Sequence, residues 1–348
     1  VLSIDHDSEF EWKAIAAYAR VMHTRTLGRN GLITSAVGLG CMGLSQVYGP
    51  TDEATAVRVI QRALKLGVTL LDTAMSYGEG NNERLLGRAL AGRRERAVVA
   101  TKFGIVRDAG GVRLDAHPGR VRADCEASLA RLGIDVIDLY YLHRADPQVP
   151  LEDTIGAMAR LVDAGLVRHL GVSELRPEQL EQAAAVHPIA AVQFEWSLMW
   201  REPEFDLVPA ARRLGIGLVA YSPLGRGLLT GTLSASADID AATFRREDPR
   251  FHGKHLVRNL MQVDALQVLA REFGVTAGQL ALAWLLARRP DVVPIPGTRS
   301  LQRLAENAAA SSLTLDRDAL KRLASLVPTS GWAGDRRSFA APVTRRGN

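Results

Sequence analysis

From Val37 onward the chain alternates short apolar runs with longer stretches in which apolar residues recur every three to four positions. The runs cover 37–40, 68–74, 97–104, 136–143, 167–173, 190–194, 216–222 and 292–298. Several are apolar on both faces, as parallel strands covered by helices are. In the first intervening stretch Val57, Ile60 and Leu64 form one face, and Arg58, Gln61, Arg62 and Lys65 the other. The same periodicity predicts helices over 81–91, 119–132, 151–164, 177–186, 206–214, 259–273 and 276–289, with two more over 300–310 and 316–326. Gly67, Gly133, Gly165 and Gly215 each follow a helix, where a left-handed residue ends the last turn.

Eight strand–helix repeats predict an α/β fold, a (β/α)8 TIM barrel with extra helices at its C-terminal end. It is preceded by a β-hairpin, in which Thr24-Arg25-Thr26-Leu27 and Leu32-Ile33-Thr34 flank a Gly28-Arg29-Asn30-Gly31 turn. The barrel unit is expected over 22–330, with a C-terminal tail over 331–348. Residues 1–21 read as an addition, either a leader from an upstream start or a short amphipathic helix over 11–21 that docks on the barrel. The competing architecture is a doubly wound dinucleotide fold, because Gly38-Leu39-Gly40-Cys41-Met42-Gly43 matches G-x-G-x-x-G after a strand. That fingerprint needs a helix to open at the glycines, whereas 44–51, with Pro50, intervene before the next helix. The glycines then serve a tight strand exit at the barrel mouth.

With 348 residues, 47% of them hydrophobic, the chain can fill one large core, yet no apolar run approaches the ~20 residues that span a bilayer. Asp5, Asp7, Glu9 and Glu11 occupy the place of a basic signal-peptide region. Cys41 and Cys125 cannot make a disulfide framework and fit a reducing cytoplasm. The net charge of +5 is spread along the chain instead of forming the basic stripe of a nucleic-acid binder. Lysine occurs only at Lys13, Lys65, Lys102, Lys254 and Lys321, and Lys102 alone sits in an apolar strand.

Barrel active sites are built at the C-terminal strand ends. Those ends carry Asp72, Lys102, His143, Ser173, Gln193, Tyr221-Ser222 and Gly297-Thr298. One such residue can cap a loop, but an acid and a lysine buried together cost several kcal/mol unless they pair. Paired, Asp72 and Lys102 put a fixed ammonium in the barrel mouth, within reach of Tyr77 in the loop beyond Asp72. A free phenol, with a pKa near ~10, is a poor acid at neutral pH, and a neighbouring cation makes it a better proton donor. A neutral His143 donates a hydrogen bond to a carbonyl. Such a group polarises and protonates C=O while a hydride attacks, no activated serine or cysteine being evident.

These residues lie in ordered blocks. They are Gly40-Cys41-Met42-Gly43-Leu44-Ser45, Leu71-Asp72-Thr73-Ala74-Met75-Ser76-Tyr77-Gly78, Asn82-Glu83-Arg84-Leu85-Leu86-Gly87 and Ala100-Thr101-Lys102-Phe103-Gly104. Then come Asp138-Leu139-Tyr140-Tyr141-Leu142-His143-Arg144, Gly171-Val172-Ser173-Glu174, Tyr221-Ser222-Pro223-Leu224-Gly225-Arg226-Gly227 and Val293-Pro294-Ile295-Pro296-Gly297-Thr298-Arg299. Over Thr24 to about Val327 the chain resembles the aldo-keto reductase superfamily, in the branch of pyridoxal reductase-like and perakine reductase-like enzymes.

The resemblance implies a catalytic tetrad of Asp72, Tyr77, Lys102 and His143, with Tyr77 donating the proton. It implies nicotinamide contacts at Ser173, Gln193 and Tyr221, with Glu174 where many members carry Asn. Ser222, Leu224, Gly225, Arg226 and Gly227 match the pyrophosphate stretch, and Gly297, Thr298, Arg299, Arg303, Glu306 and Asn307 the adenosine end. Two arginines at a helix start suit a 2′-phosphate, so NADPH (NADP+) is expected over NADH. Residues 231–259 resemble a cofactor-covering loop, with Lys254 where Glu is common. Met75, Phe103, Trp196 and Trp200 are candidates for the pocket wall or for core packing, and Arg144 and Asp146 for the entrance or a loop salt bridge.

The expected function is NADPH-dependent reduction of a small-molecule aldehyde or ketone by a cytoplasmic monomer or weak oligomer. The alternative is a cofactor-binding regulatory subunit resembling potassium channel β subunits. A metal-dependent barrel hydrolase needs several ligands at strand ends, and His143 has no such partners, since His169 falls near the start of its strand.

Overall fold

The computed structural model describes residues 22–29, 31–45, 52–108, 111–233, 244–337 and 342–343. The segment 1–21, Asn30 of the hairpin turn and part of the expected covering loop lie outside the described residues.

Several of the helices open on a side-chain cap, as at Asp52, Asp206 and Ser300, and bury an apolar face. In α1 (Glu53–Lys65) the Asp52 side chain accepts from the Thr55 N–H at 2.8 Å, and Ala56, Val59, Ile60, Ala63 and Leu64 are buried. Val57 is only half-buried, so the buried stripe is rotated from the expected face toward Ala56, Val59 and Ala63. The remaining barrel helices are α2 (Asn81–Leu90), α3 (Pro118–Leu132), α4 (Leu151–Asp163), α5 (Pro177–Val186), α6 (Leu207–Leu214), α7 (Gly253–Glu272), α8 (Ala277–Leu286) and α9 (Leu301–Ala309). A further helix, α10 (Arg317–Leu326), follows them.

The hairpin is β1 (Thr24–Leu27) with β2 (Leu32–Ser35). The barrel strands are β3 (Leu39–Gly40), β4 (Leu70–Asp72), β5 (Val98–Phe103), β8 (Ile137–Leu142), β9 (Val167–Ser173), β10 (Ile189–Glu195), β11 (Gly217–Tyr221) and β12 (Val292–Pro294). They pair in parallel in that order. Gly38 N–H donates to the Pro294 carbonyl at 2.9 Å and Gly40 N–H to that of Pro296 at 3.3 Å, which closes the last strand onto the first. A Cβ on Gly297 would lie 2.8 Å from the Gly40 carbonyl oxygen, so that seam needs glycine. The fingerprint glycines therefore serve a strand exit followed by a short 3-10 turn, Met42–Leu44, and the doubly wound alternative falls.

Inside the barrel Leu70, Ala100, Leu139, Tyr141, Ala191, Val219 and Val293 pack together, and Leu27 and Leu32 of the hairpin plug the end where the strands begin. Arg25 fastens the hairpin by donating to the Leu286, Arg289 and Val292 carbonyls. A second hairpin, β6 (Ile105–Asp108) with β7 (Gly111–Leu114), follows β5 beside the opposite end. Its strands mix Ile105, Val106, Val112 and Leu114 with Arg107, Asp108 and Arg113, which leaves no apolar run to predict it from. The short strands β13 (Arg336–Arg337) and β14 (Pro342–Val343) lie beyond α10. Among the described residues no helix is long and apolar enough to cross a membrane.

Candidate active site

Asp72 ends β4, Lys102 lies near the end of β5, and His143 follows β8. Barrel closure brings these ends together. Lys102 is 0% exposed, and its ammonium donates to Asp72 Oδ1 and, at 2.8 Å, to the Thr73 carbonyl. The other Asp72 oxygen accepts from Gln193 Nε2 at 2.8 Å. Burial lowers the Lys102 pKa from its ordinary value, and the attraction of Asp72 opposes that shift.

Tyr77 reaches the same point because its loop is fastened from both sides. Gly78, Glu79 and Gly80 all have positive φ, which curls the loop back over the mouth. Asn82 then donates to the Cys41 carbonyl at 2.8 Å and to Ser45 Oγ at 2.9 Å, and accepts from Thr73 Oγ1 at 2.6 Å. Glu83, fully buried, accepts from Thr101 at 2.6 Å and from Arg131 at 2.5 Å. The Lys102 ammonium lies 5.2 Å from the Tyr77 ring centroid. The His143 ring meets that of Tyr77 edge-on, with centroids 5.8 Å apart. Burial, reinforced by the charges of Arg144 and Lys102, holds the His143 pKa well below its usual value, so the imidazole is neutral. Its buried Nδ1 has no hydrogen-bond partner among the described residues.

A cleft of ≈ 340 Å³ runs from this point across the mouth. Asp72, Tyr77 and His143 line one end, with Ser173, Gln193 and Tyr221 beside them. Ser222, Leu224, Arg226 and Gly227 line its middle. Gly297, Thr298, Arg299, Arg303, Glu306 and Asn307 line the far end, at the start of α9. Ser300 caps that helix, and Arg303 pairs with Glu306 at 2.7 Å. Ser222 and Arg226 hold left-handed φ values of 47° and 55°, conformations uncommon for non-glycine residues.

Lys102, Gly225 and Glu174 are not on the cleft surface. Lys102 lies beneath Tyr77, Gly225 is buried, and Glu174 turns away from the cleft. Its carboxylate accepts from the Tyr221 hydroxyl at 2.9 Å and pairs with Arg336. Burial alone would raise the Glu174 pKa, but the cations Arg336 and Arg144 and its hydrogen bonds hold it at about 2. Arg144, buried at the cleft wall, donates to Ser173 Oγ at 3.0 Å and to the His143 carbonyl at 2.6 Å. Asp146 instead accepts from the Gln148 N–H at 2.9 Å.

Phe103, Trp196 and Trp200 belong to packing. Phe103 stacks on Tyr140 at 5.2 Å, Trp196 donates to Glu204 at 2.9 Å, and Trp200 lies beneath Arg336. Met75 is half-buried against the core. Lys254 is exposed in the first turn of α7, while Arg245 of the covering segment enters the cleft and donates to the Arg226 carbonyl at 2.8 Å. Thr230, Thr232, Thr276 and Gly278 also line the cleft. Among these, only the capping signature Thr276-x-x-Gln279, which opens α8, has a readable sequence signal.

Comparison with known proteins agrees with the barrel fold. The model of the aldo/keto reductase family matches residues 36–328. Probable aldo-keto reductase 1 of Glycine max is 42% identical over 313 residues, which span 89% of this chain and 90% of that protein. The structure of a glycerol dehydrogenase from Gluconobacter oxydans superposes with a TM-score of 0.82 at 29% identity, covering 91% of this chain and 99% of that one. An aldo/keto reductase from Klebsiella pneumoniae, solved in complex with NADP and acetate, superposes with a TM-score of 0.69 at 29% identity over 88% of this chain and 96% of its own. A closed parallel barrel with a buried lysine–aspartate pair under a tyrosine, matched over most of its length by that family's model, places this chain in the aldo/keto reductase family.

Proposed function

We propose that the protein reduces an aldehyde or ketone to the alcohol with NADPH, Tyr77 donating the proton. One observation carries the reading. A fully buried ammonium, fixed on a carboxylate, lies 5.2 Å from the ring of a tyrosine at the end of a long cleft.

The far end of that cleft suits the nucleotide. Arg299 and Arg303 flank the start of α9, where the helix N-terminus and its dipole favour an anion such as a 2′-phosphate. Gly227 and Gly278 let a ligand approach the backbone midway. The Klebsiella pneumoniae relative holds NADP. When bound, NADPH supplies the hydride that reaches the carbonyl carbon.

The chain's own groups do the rest. The Tyr77 phenol gives its proton to the carbonyl oxygen as negative charge develops there, and solvent later restores it. Lys102 stabilises the phenolate that remains, and Asp72 and the Thr73 carbonyl hold the ammonium in place. Neutral His143 has an N–H to donate to the same oxygen, which orients the carbonyl. Ser173, Gln193 and Tyr221, which line the cleft beside Tyr77, would hold the nicotinamide.

A panel of aldehydes, ketones and pyridoxal, incubated with NADPH or NADH and followed at the nicotinamide absorbance band, tests the reading. Turnover faster with NADPH supports it. Very slow turnover of every carbonyl with NADPH still bound would favour the regulatory role.

A further inference from the structure

Arg336 lies beyond the last helix, in β13, yet it is 5% exposed and reaches back to the barrel mouth. Its Nη1 donates to the Tyr221 hydroxyl at 2.9 Å, its Nη2 donates to Glu174, and Glu195 lies 3.7 Å away. The Trp200 ring supports the guanidinium at 5.4 Å. Glu174 takes the Tyr221 hydroxyl on its other oxygen at 2.9 Å, with its own backbone held in the left-handed region at φ 57°. Arg336, Glu174 and Tyr221 thus close a triangle of hydrogen bonds. It continues through Glu195 to Arg250 at 2.5 Å, to Asp248, and to Arg226 at 3.4 Å. Signs alternate along this buried chain, and both Tyr221 and Arg226 line the cleft.

We propose that Arg336 is a positioning residue for the nicotinamide end of the cleft. It fixes the Tyr221 ring through its hydroxyl and neutralises the Glu174 charge behind that ring. This rests on the NADPH reading above.

Oxidised nicotinamide is a cation and the reduced ring is neutral. A Glu174 carboxylate that loses its ion pair with Arg336 and keeps only the charge of Arg144 attracts the first more strongly and leaves the second nearly unaffected. Removing Arg336 therefore tilts affinity toward NADP+ and, by releasing the ring, speeds NADPH release. A residue that merely held the fold would weaken both forms alike.

The test measures affinities for NADP+ and NADPH by calorimetry, and NADPH dissociation by stopped-flow tryptophan fluorescence. Arg336→Ala is expected to raise NADP+ affinity relative to NADPH by about tenfold and dissociation by a similar factor. Arg336→Ala combined with Glu174→Gln removes the stranded charge. It returns the affinity ratio to within about twofold of wild type while release stays fast. If Arg336→Ala does not fold, this double variant and Arg336→Lys, expected to keep a near wild-type ratio, carry the test. Wild-type binding with unaltered ratio and release in the variants lacking Arg336 overturns the clamp alone. A wild-type chain that binds neither nucleotide overturns the NADPH reading together with the clamp.

Discussion

Lys102 holds its ammonium 5.2 Å from the centroid of the Tyr77 ring, with no water-accessible surface of its own. An ammonium there is stable only because Asp72 and the Thr73 carbonyl accept its hydrogen bonds. Chemistry and stability therefore share one ion pair.

Lys102→Met keeps an unbranched side chain only one atom shorter and removes the charge. It leaves Asp72 with Gln193 as its hydrogen-bond donor, and stranding one partner of a buried pair costs about 3–5 kcal/mol. We expect kcat to fall about a hundredfold or more with the melting temperature lowered, read by steady-state kinetics and thermal unfolding. Because burial draws the Lys102 pKa below its usual 10.5, wild-type activity is expected to decline on the alkaline side before that pH is reached. A pH–rate profile reads that decline.

On the proposed reading, the far end of the cleft selects between the two nucleotides. Arg299 and Arg303 both line it, and Arg303 is half-exposed against Glu306. Replacing both arginines by Ala is expected to raise the NADPH KM by roughly tenfold to a hundredfold and to change the NADH KM by less than about threefold. Parallel titrations with the two cofactors check this.

Acid reports on Glu174. Its folded pKa of about 2 lies below the unfolded value of ~4.3, so the folded state holds the proton less tightly. The stabilisation is fully present above pH ~4.3, where it amounts to roughly 3 kcal/mol, and is lost as pH falls toward 2. Glu174→Gln is expected to flatten the stability curve across that window in urea unfolding measured at successive pH values.

Much of this was legible in the sequence because a parallel barrel sends its strand ends to one place. Asp72, Lys102, His143, Ser173, Gln193 and Tyr221 could be read off as a set, and closure brings them together. Contacts set by distant chain were not legible. Glu174 was expected at the nicotinamide, but its partner Arg336 lies 162 residues later in a segment with no periodic pattern. The large side chains Phe103 and Trp196 offered no sign of direction, and both turn into the core. The α7 helix begins at Gly253, earlier than its periodicity indicates, because Val257 and Met261 on its outer face are exposed and blur the apolar stripe.

The proton donor is the central claim, and Tyr77→Phe tests it most directly by removing one oxygen while keeping the ring. Carbonyl reduction should fall by about three orders of magnitude or more, while NADPH binds within about threefold of the wild-type affinity. A variant that still reduces carbonyls near the wild-type rate would contradict the account.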